Sequence, residues 1–263
     1  RKTACISTQA GCALGCTFCA TGQQGFRRNL TVGEIVAQVI ELERIARRED
    51  ESELAEGKRT KGEIQGVTNV VFMGMGEPLD NYDHAVGAAN VMISEDEFNL
   101  AARHVTISSS RLAPKIIQLA QDSKASLALS LHAARDDLRT RLMPINRKYS
   151  LKVLKEALIT YQQQSSRKIT IEYIMIRDTN CGLVEAKELL KFLQGLKVKV
   201  NLIPFNAHPG LPYQRPTDRD IRSFQKYLSD RSIPAPVRYS KGLDVSAACG
   251  QLAAKFQQDL HQL

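Results

Sequence analysis

The chain has 263 residues, of which 43% are hydrophobic and 24% are charged, and this ordinary globular composition excludes disorder over most of its length. No apolar run approaches the roughly 18 residues that a membrane helix needs, so no membrane contact is expected. Lys and Arg outnumber Asp and Glu by 36 to 28. The net charge of +8 fits either a polyanionic partner such as RNA or an ordinary basic enzyme.

Six short apolar segments predict the strands of a sheet. The last three are near-continuous apolar runs, which is typical of strands that are buried on both faces. In chain order the predicted strands are Thr3–Ser7, Val67–Phe72, His104–Ile107, Ala125–Leu131, Ile169–Ile174 and Val198–Ile203.

Helical patterns lie between these strands, and the first of them opens on a capping-box sequence from Thr31 to Glu34. The predicted helices are Ile35–Ile45, His84–Ile93, Pro114–Gln121, Leu151–Gln163, Leu183–Leu193, Asp218–Leu228 and Ala247–Gln258. Strands that alternate with helices in this way predict a parallel sheet with right-handed crossovers.

The fold class that follows is α/β. About six strand–helix units are too few for a closed eight-unit barrel, so we predict a partial (β/α)6 TIM-like barrel, with a doubly wound open sheet as the alternative. In both architectures, ligands bind at the carboxyl ends of the strands.

One domain is predicted over residues 1–263. Residues 47–63 are acidic and then basic with hardly any apolar side chains, which indicates a solvated surface insertion. Residues 232–263 follow the last strand–helix unit as a C-terminal extension. The chain begins with Arg1 rather than Met, so further residues are expected to precede it.

Three cysteines, Cys12, Cys16 and Cys19, directly follow the first strand with the spacing C-x3-C-x2-C. A structural zinc site and an ordinary cubane cluster both need four protein ligands, and no fourth Cys or His lies nearby in the sequence. Three thiolates on a four-iron cluster would leave one iron open to a small chelating ligand. The alternatives are three buried cysteines, or a zinc site that is completed from a distant part of the chain.

Polar residues follow several of the other strands. Gly76 and Glu77 lie just past the second strand, where glycine permits close backbone approach and a carboxylate can pair with a ligand ammonium. The remaining candidates at strand ends are Ser108, Ser130, Leu131, His132 and Asn206. Taken singly, a lone Ser or His is more often a structural hydrogen-bonding group than a ligand.

Three further cysteines lie outside the triplet. Cys5 belongs to the first strand, and Cys249 lies near the start of the last predicted helix, where a thiolate and hence a nucleophile is favoured. The alternative for both is a buried small apolar side chain. Cys181 is interpreted as a bystander.

These motifs together resemble the RlmN/Cfr family of radical S-adenosylmethionine (SAM) RNA adenine methyltransferases. Residues 76–81 and 202–206 are more similar to RlmN than to Cfr. The matching segments are residues 4–22 (ACISTQAGCALGCTFCATG), 72–79 (FMGMGEPL), 104–108 (HVTIS), 129–132 (LSLH), 142–146 (LMPIN), 201–206 (NLIPFN) and 247–252 (AACGQL).

The resemblance implies a role for each candidate residue. The cysteine triplet would hold a [4Fe-4S] cluster, Cys249 would carry a methyl group, and Cys5 would resolve the product by forming a disulfide with Cys249. The positions that the resemblance assigns to SAM contacts are Gly76, Glu77, Ser108, Ser130, Leu131, His132 and Asn206. One position departs from the family, because Arg111 stands where the family usually has glycine.

The implied reaction transfers a methyl group from SAM to adenine C2 in 23S rRNA, and also in tRNA. Carbon 2 is not nucleophilic, so the family uses a second SAM and radical chemistry on the methyl group that Cys249 carries. The alternatives are a Cfr-like methyltransferase that acts at adenine C8, and a zinc-bound RNA-binding module without catalysis.

The family also implies partners and a compartment. We expect a monomer in the cytoplasm, reduced by a flavodoxin-type electron donor. A small RNA-binding domain and a proton-removing carboxylate would precede residue 1. Basic residues suited to phosphate contact are Arg27, Arg28, Arg139, Arg141, Arg147, Lys148, Arg215, Arg219, Arg238 and Lys241.

Overall fold

A computed structural model describes residues 2–58, 60, 62, 66–110, 113–207 and 210–239. Its main sheet has six strands, all parallel. They are β1 (Lys2–Cys5), β4 (Val67–Phe72), β5 (Val105–Ser109), β6 (Ser126–Ser130), β7 (Ile169–Met175) and β8 (Val198–Pro204). The six predicted strands are therefore confirmed.

The strand order of the sheet is β1-β4-β5-β6-β7-β8, which is also the order along the chain. A doubly wound sheet reverses direction at a switch point. This sheet does not reverse, so the predicted partial barrel is confirmed and the doubly wound alternative is wrong.

Helices lie between the strands and after the last one. They are α1 (Ala20–Gln23), α2 (Val32–Ala55), α3 (Tyr82–Ile93), α4 (Ala113–Asp122), α5 (Asp136–Leu142), α6 (Leu151–Ser165), α7 (Leu183–Leu193) and α8 (Asp218–Ser229). The predicted capping box is present at α2, where Glu34 N donates to Thr31 Oγ1 and Thr31 N donates to Glu34 Oε2. The helix predicted at Ala247–Gln258 lies outside the described residues.

A separate ribbon is formed by two short antiparallel strands, β2 (Gln9–Gly11) and β3 (Phe26–Asn29). We call these two strands the ribbon. It connects β1 to α2, and the cysteine triplet lies in the loop between its strands. The sequence analysis missed the ribbon and α5, because neither has a clear apolar periodicity.

The first part of the predicted insertion at 47–63 is helical, because α2 continues to Ala55. Asp50 is fully buried, with its carboxylate 3.0 Å from Lys2 Nζ and accepting a hydrogen bond from Gly66 N. The expectation that this stretch is a solvated surface is therefore wrong at Asp50, whose burial is stabilised by an ion pair that sequence alone does not reveal.

The main hydrophobic core lies between the sheet and its helices. On β6, Leu127 and Leu129 are fully buried in this core, so Ala128 and Ser130 face the other way, into the barrel. A second, smaller core lies at the carboxyl ends of the strands and includes Cys12 and Cys16. The cysteine loop is thus packed into the end of the barrel where ligands bind in this architecture.

The last described segment runs along the free edge of β8. Val200 N donates to Pro234 O at 2.8 Å and Leu202 N donates to Pro236 O at 3.0 Å, while Arg238 N donates to Leu202 O. This segment therefore pairs with β8 as an irregular edge. Among the described residues, no helix is both long enough and apolar enough to cross a membrane.

Candidate active site

The cysteine loop begins at a backbone junction that requires glycine. Cys12 N donates to Gly25 O at 2.9 Å, which joins the two ends of the loop. Gly11 has a φ of +76°, and a Cβ added there would lie 2.0 Å from Gly25 O. Any larger residue at position 11 would separate the two strands of the ribbon at the first cysteine.

The three thiols differ in exposure. Cys12 and Cys16 are buried at 8% and 9% exposure, and Cys19 is half-buried. Burial raises the pKa of Cys16 well above its ordinary value, and the neighbouring thiols of Cys19 and Cys12 raise it further. Burial also raises the pKa of Cys12. Without a metal, these two thiols are protonated at neutral pH.

The fit of this loop to an iron–sulfur cluster rests on its donor chemistry. Thiolates are the usual ligands of such clusters, and a bound metal deprotonates a coordinating thiol. Within the described part of the chain, no three His, Cys, Asp or Glu side chains are grouped closely enough to hold a metal ion as they stand. The thiol donors fit a cluster, and they lie close enough to raise one another's pKa. The three side chains are not yet turned toward one common point.

The loop after β4 is held against the segment after β1. Gly74 N donates to Ile6 O at 2.9 Å, and Met75 O accepts a hydrogen bond from Thr8 N at 3.0 Å. A Cβ at Gly74 would lie 2.8 Å from Ile6 O, and one at Gly76 would lie 2.6 Å from Gln9 Cβ. These glycines are therefore required by the close approach of two backbone segments, and Gly76 also has a φ of +99°.

Glu77 lies at the end of this loop and is only 2% exposed. Its carboxylate accepts hydrogen bonds from Leu79 N at 3.2 Å, Ser110 N at 2.9 Å and Ser110 Oγ at 2.7 Å. Burial raises the pKa of Glu77, while these donors lower it. The carboxylate thus joins the ends of β4 and β5, and a ligand ammonium would share it with Ser110.

The predicted contacts on β5 and β6 lie together. Ser108 Oγ and Ser130 Oγ are 3.3 Å apart on neighbouring strands. Leu131 is fully buried, and its N donates to Glu172 O at 3.1 Å. Asn206, which follows β8, is half-buried. Ser108, Ser130 and Leu131 thus line adjacent strands at one end of the barrel.

His132 connects β6 to β7 and contacts the cysteine loop. It has a φ of +60° and is 7% exposed, and its ring lies edge-on to Phe18 with the ring centroids 4.9 Å apart. Ile174 N donates to His132 Nδ1 at 3.1 Å, so Nδ1 is the unprotonated nitrogen. Burial, together with the nearby charge of Arg139, lowers the pKa of His132 to about 3.

We expect this neutral imidazole to make stability depend on pH. The unfolded imidazole binds a proton below about pH 6.5, whereas the folded one remains neutral down to about pH 3. The unfolded state therefore binds more protons in this range, and folding stability falls as the pH falls. Between pH 7 and pH 5 the expected loss from this one group is about 2 kcal/mol, measured by urea unfolding.

The variant His132→Asn should lose this part of the pH dependence, because Asn tolerates positive φ and does not titrate in this range. The matched control is His84→Gln on the exposed surface of α3, which should retain it. Equal pH slopes for wild type and His132→Asn would contradict the assignment.

Arg139, which the sequence analysis placed among the phosphate-contacting residues, is fully buried, and that expectation is wrong. Its guanidinium donates to Leu131 O at 3.1 Å, Asn146 Oδ1 at 2.7 Å, Ser130 O at 3.3 Å and Ser110 O. Burial lowers its pKa to about 10, so it remains charged at neutral pH. Arg139 therefore ties together the carboxyl ends of β5 and β6.

Two buried polar groups near the site were also missed. Asn180 donates to His132 O at 2.8 Å and accepts from Ile176 N at 2.7 Å, which fixes the loop after β7. Glu172 on β7 lies opposite Ser130 on β6, and its carboxylate accepts a hydrogen bond from Asn201 at 2.8 Å. Burial raises the pKa of Glu172. A charged residue within the apolar run Ile169–Ile174 was the signal available in the sequence.

Of the two cysteines that the resemblance implies in methyl transfer, only Cys5 belongs to the residues that the structure describes. Cys5 lies between the buried core residues Ala4 and Ile6, so it is on the inner face of the sheet, and it is exposed. Cys249 lies outside the described residues, as do Arg111 and Lys241. The described cysteines, including the half-buried Cys181, are all thiols.

Comparison with known proteins agrees with this geometry. The radical SAM superfamily pattern matches residues 6–193. The chain is 47% identical over 255 residues to the "Dual-specificity RNA methyltransferase RlmN" of an Anaeromyxobacter species, and 45% identical over 256 residues to that of a Nitratiruptor species. Each match covers 97% of this chain, which spans 65% of the first relative and 68% of the second.

A solved structure is also similar over nearly the whole chain. The crystal structure of a radical SAM methyltransferase from Sphaerobacter thermophilus matches with a TM-score of 0.86 and 44% identity, covering 95% of this chain and 69% of that one. The chain therefore belongs to the radical SAM superfamily and, within it, to the RlmN family of RNA methyltransferases.

Proposed function

We propose that this chain is the catalytic core of an enzyme that transfers a methyl group from SAM to C2 of an adenosine in RNA. The proposed substrates are 23S rRNA and tRNA, since the relatives are named dual-specificity RNA methyltransferases. The observation that carries the proposal is the three-cysteine loop packed into the carboxyl end of the partial barrel, in a chain 45% identical to an RlmN protein.

The proposed cofactors are a [4Fe-4S] cluster held by Cys12, Cys16 and Cys19, and SAM. When bound, the cluster supplies the electron for reductive cleavage of SAM. The apolar side chains of the second core pack around Cys12 and Cys16 and would keep water from these two ligands. Thr17 fixes the cysteine loop to the end of α5 and to the segment after β8. Its N donates to Leu142 O, and its Oγ1 lies 2.7 Å from Tyr213 Oη.

The proposed SAM contacts lie on the neighbouring strands. Glu77 presents a carboxylate for the methionyl ammonium beside Gly76, whose lack of a side chain permits a close approach. The remaining proposed contacts are Ser108, Ser130, Leu131, His132 and Asn206. With Nδ1 accepting from Ile174 N, His132 Nε2 carries the proton and can donate it to a ligand.

Cys249 is proposed as the methyl carrier and Cys5 as the thiol that releases the product. Both roles rest on the resemblance to the family, and the exposed position of Cys5 on the inner face supports the second. Attack of the Cys5 thiolate on the Cys249 sulfur would break the bond between that sulfur and the transferred carbon, with the electron pair leaving on the carbon of the product. The resulting disulfide must then be reduced by a cellular reductant. This need favours a reducing cytoplasm, where we place a monomer served by a flavodoxin-type electron donor.

The proposal is tested by mass spectrometry of the nucleosides from RNA treated with the full-length enzyme, SAM and a reductant. We expect 2-methyladenosine, whereas 8-methyladenosine as the only product would overturn the assignment in favour of Cfr-like activity. The variant Cys249→Ala should still cleave SAM but should not methylate RNA. Normal methylation by this variant would remove Cys249 as the methyl carrier.

A further inference from the structure

The ribbon presents an unusual outer strand beside the proposed active site. Every residue of β3, Phe26–Asn29, is exposed, and the Phe26 side chain is 47% exposed. The ring is therefore available to stack against a partner, next to the basic residue Arg27.

A β-bulge leaves one basic residue of the ribbon without a cross-strand partner. The register pairs Ala10 with Arg28 and Gly11 with Phe26, so Arg27 is an extra residue with no partner across the strand. Bulges of this kind re-aim a side chain, and they are common next to active sites. The Arg27 side chain is exposed and forms no hydrogen bond or ion pair with any described residue.

The next residue, Arg28, has an ion-pair partner within the protein. Arg28 forms a two-pronged ion pair with Glu34, with N···O distances of 2.9 and 2.7 Å. Glu34 also caps α2 through Thr31. Glu34 therefore balances the charge of the exposed Arg28 within the protein, whereas the charge of Arg27 is available to a partner.

Hydrogen bonds fix the ribbon to the loops at the carboxyl ends of the strands. Gln9 Nε2 donates to Asn29 Oδ1, and Gln9 Oε1 accepts from Glu77 N, both at 2.9 Å. At its other end, Gly25 O accepts from Cys12 N. Phe26 and Arg27 are thus carried on a strand fixed to both the cysteine loop and the Glu77 loop.

We propose that the ribbon binds a single-stranded segment of the RNA substrate, with a base stacked on Phe26 and a phosphate paired with Arg27. The inference rests on the proposed function. RNA offers a π-face and an anionic phosphate in each repeat unit, which matches an exposed ring next to an uncompensated guanidinium on a protein of net charge +8. Because the target adenine must leave its stack to enter the barrel, a stacking ring at the rim offsets that loss.

The test measures binding of a 5′-labelled ten-residue oligoadenylate by fluorescence anisotropy, using the cluster-loaded full-length enzyme. We expect Phe26→Ala to weaken binding about tenfold and Phe26→Tyr to bind like wild type, because stacking on an aromatic ring is retained. An abasic ten-residue strand should bind wild type and Phe26→Ala equally. Arg27→Gln should reduce the slope of log K against log salt by about 0.7.

Matched controls lie far from the ribbon. Val153→Ala on α6 removes another exposed apolar side chain, and Arg103→Gln removes an exposed arginine before β5, at the opposite end of the sheet. Both should bind the oligoadenylate like wild type. Unchanged melting temperatures of the Phe26 and Arg27 variants would exclude loss of fold as the cause.

The outcomes separate this inference from the proposed function. If wild type binds RNA and the ribbon variants bind equally well, the ribbon inference alone fails. If wild type neither binds nor methylates RNA, the proposed function fails as well. If RNA binding is unchanged but reduction by an acidic electron-transfer protein slows in the variants, the ribbon is a docking site for that protein and the RNA assignment is overturned.

Discussion

Replacing Arg139 with methionine is expected to lower the free energy of unfolding by about 3–5 kcal/mol, because several buried acceptors lose their donor. The substitution keeps most of the side-chain volume but leaves buried acceptors, including Leu131 O and Asn146 Oδ1, without their donor. Each unsatisfied buried acceptor costs about 1–3 kcal/mol. Urea unfolding measures the change.

Two further variants sharpen this prediction. Arg141→Met removes an exposed arginine from the same helix, α5, and should change stability by less than about 0.5 kcal/mol. Arg139→Lys retains the charge but not the planar fork, so we expect an intermediate loss. If Arg139→Met were as stable as wild type, the buried guanidinium would not be what holds the ends of β5 and β6 together.

Replacing Cys16 with alanine is expected to abolish binding of the iron–sulfur cluster. Anaerobic reconstitution of wild type with iron and sulfide should give about four irons per chain, and the variant should retain less than one. Cys16 is packed in the second core with Leu142 and Phe205. Loss of this thiol would leave the proposed cluster with two cysteine ligands, Cys12 and Cys19.

The control for this experiment is Cys181→Ala, which removes a half-buried thiol in the loop after β7 that we do not place among the ligands. It should bind the full complement of iron. Elemental analysis also distinguishes the metals, since wild-type protein that binds zinc and no iron would exclude the proposed cluster. Iron retained by Cys16→Ala would remove that residue from the ligand set.

The sheet was largely predictable from the sequence because several of its strands are buried along most of their length. The run Ile169–Ile174 marks such a strand, and the structure extends it only to Met175, with every residue buried. The end of α2 was predicted too early, since polarity from Arg47 onward suggested a loop. The burial of Asp50 depends on Lys2, 48 positions away, and local sequence does not contain that pairing.

The site was predictable where residue type alone carries chemistry, as in the cysteine triplet. The arrangement of the surrounding groups was not. Arg139 has the sequence context of a surface residue in a charged helix, and its burial depends on carbonyl groups at two separate strand ends. Likewise, the ribbon depends on Gly11 meeting Gly25 across a loop, a tertiary contact rather than a periodic pattern.

The segment that runs beside β8 has a consequence for how the chain behaves in a crowded solution. An unprotected outer strand offers a row of amide groups to any other polypeptide, which promotes aggregation. Here the outermost position is taken by a stretch containing Pro234 and Pro236, and proline has no amide proton to donate. The partial barrel can therefore stay open beside β8 while strand pairing with other molecules is disfavoured at that edge.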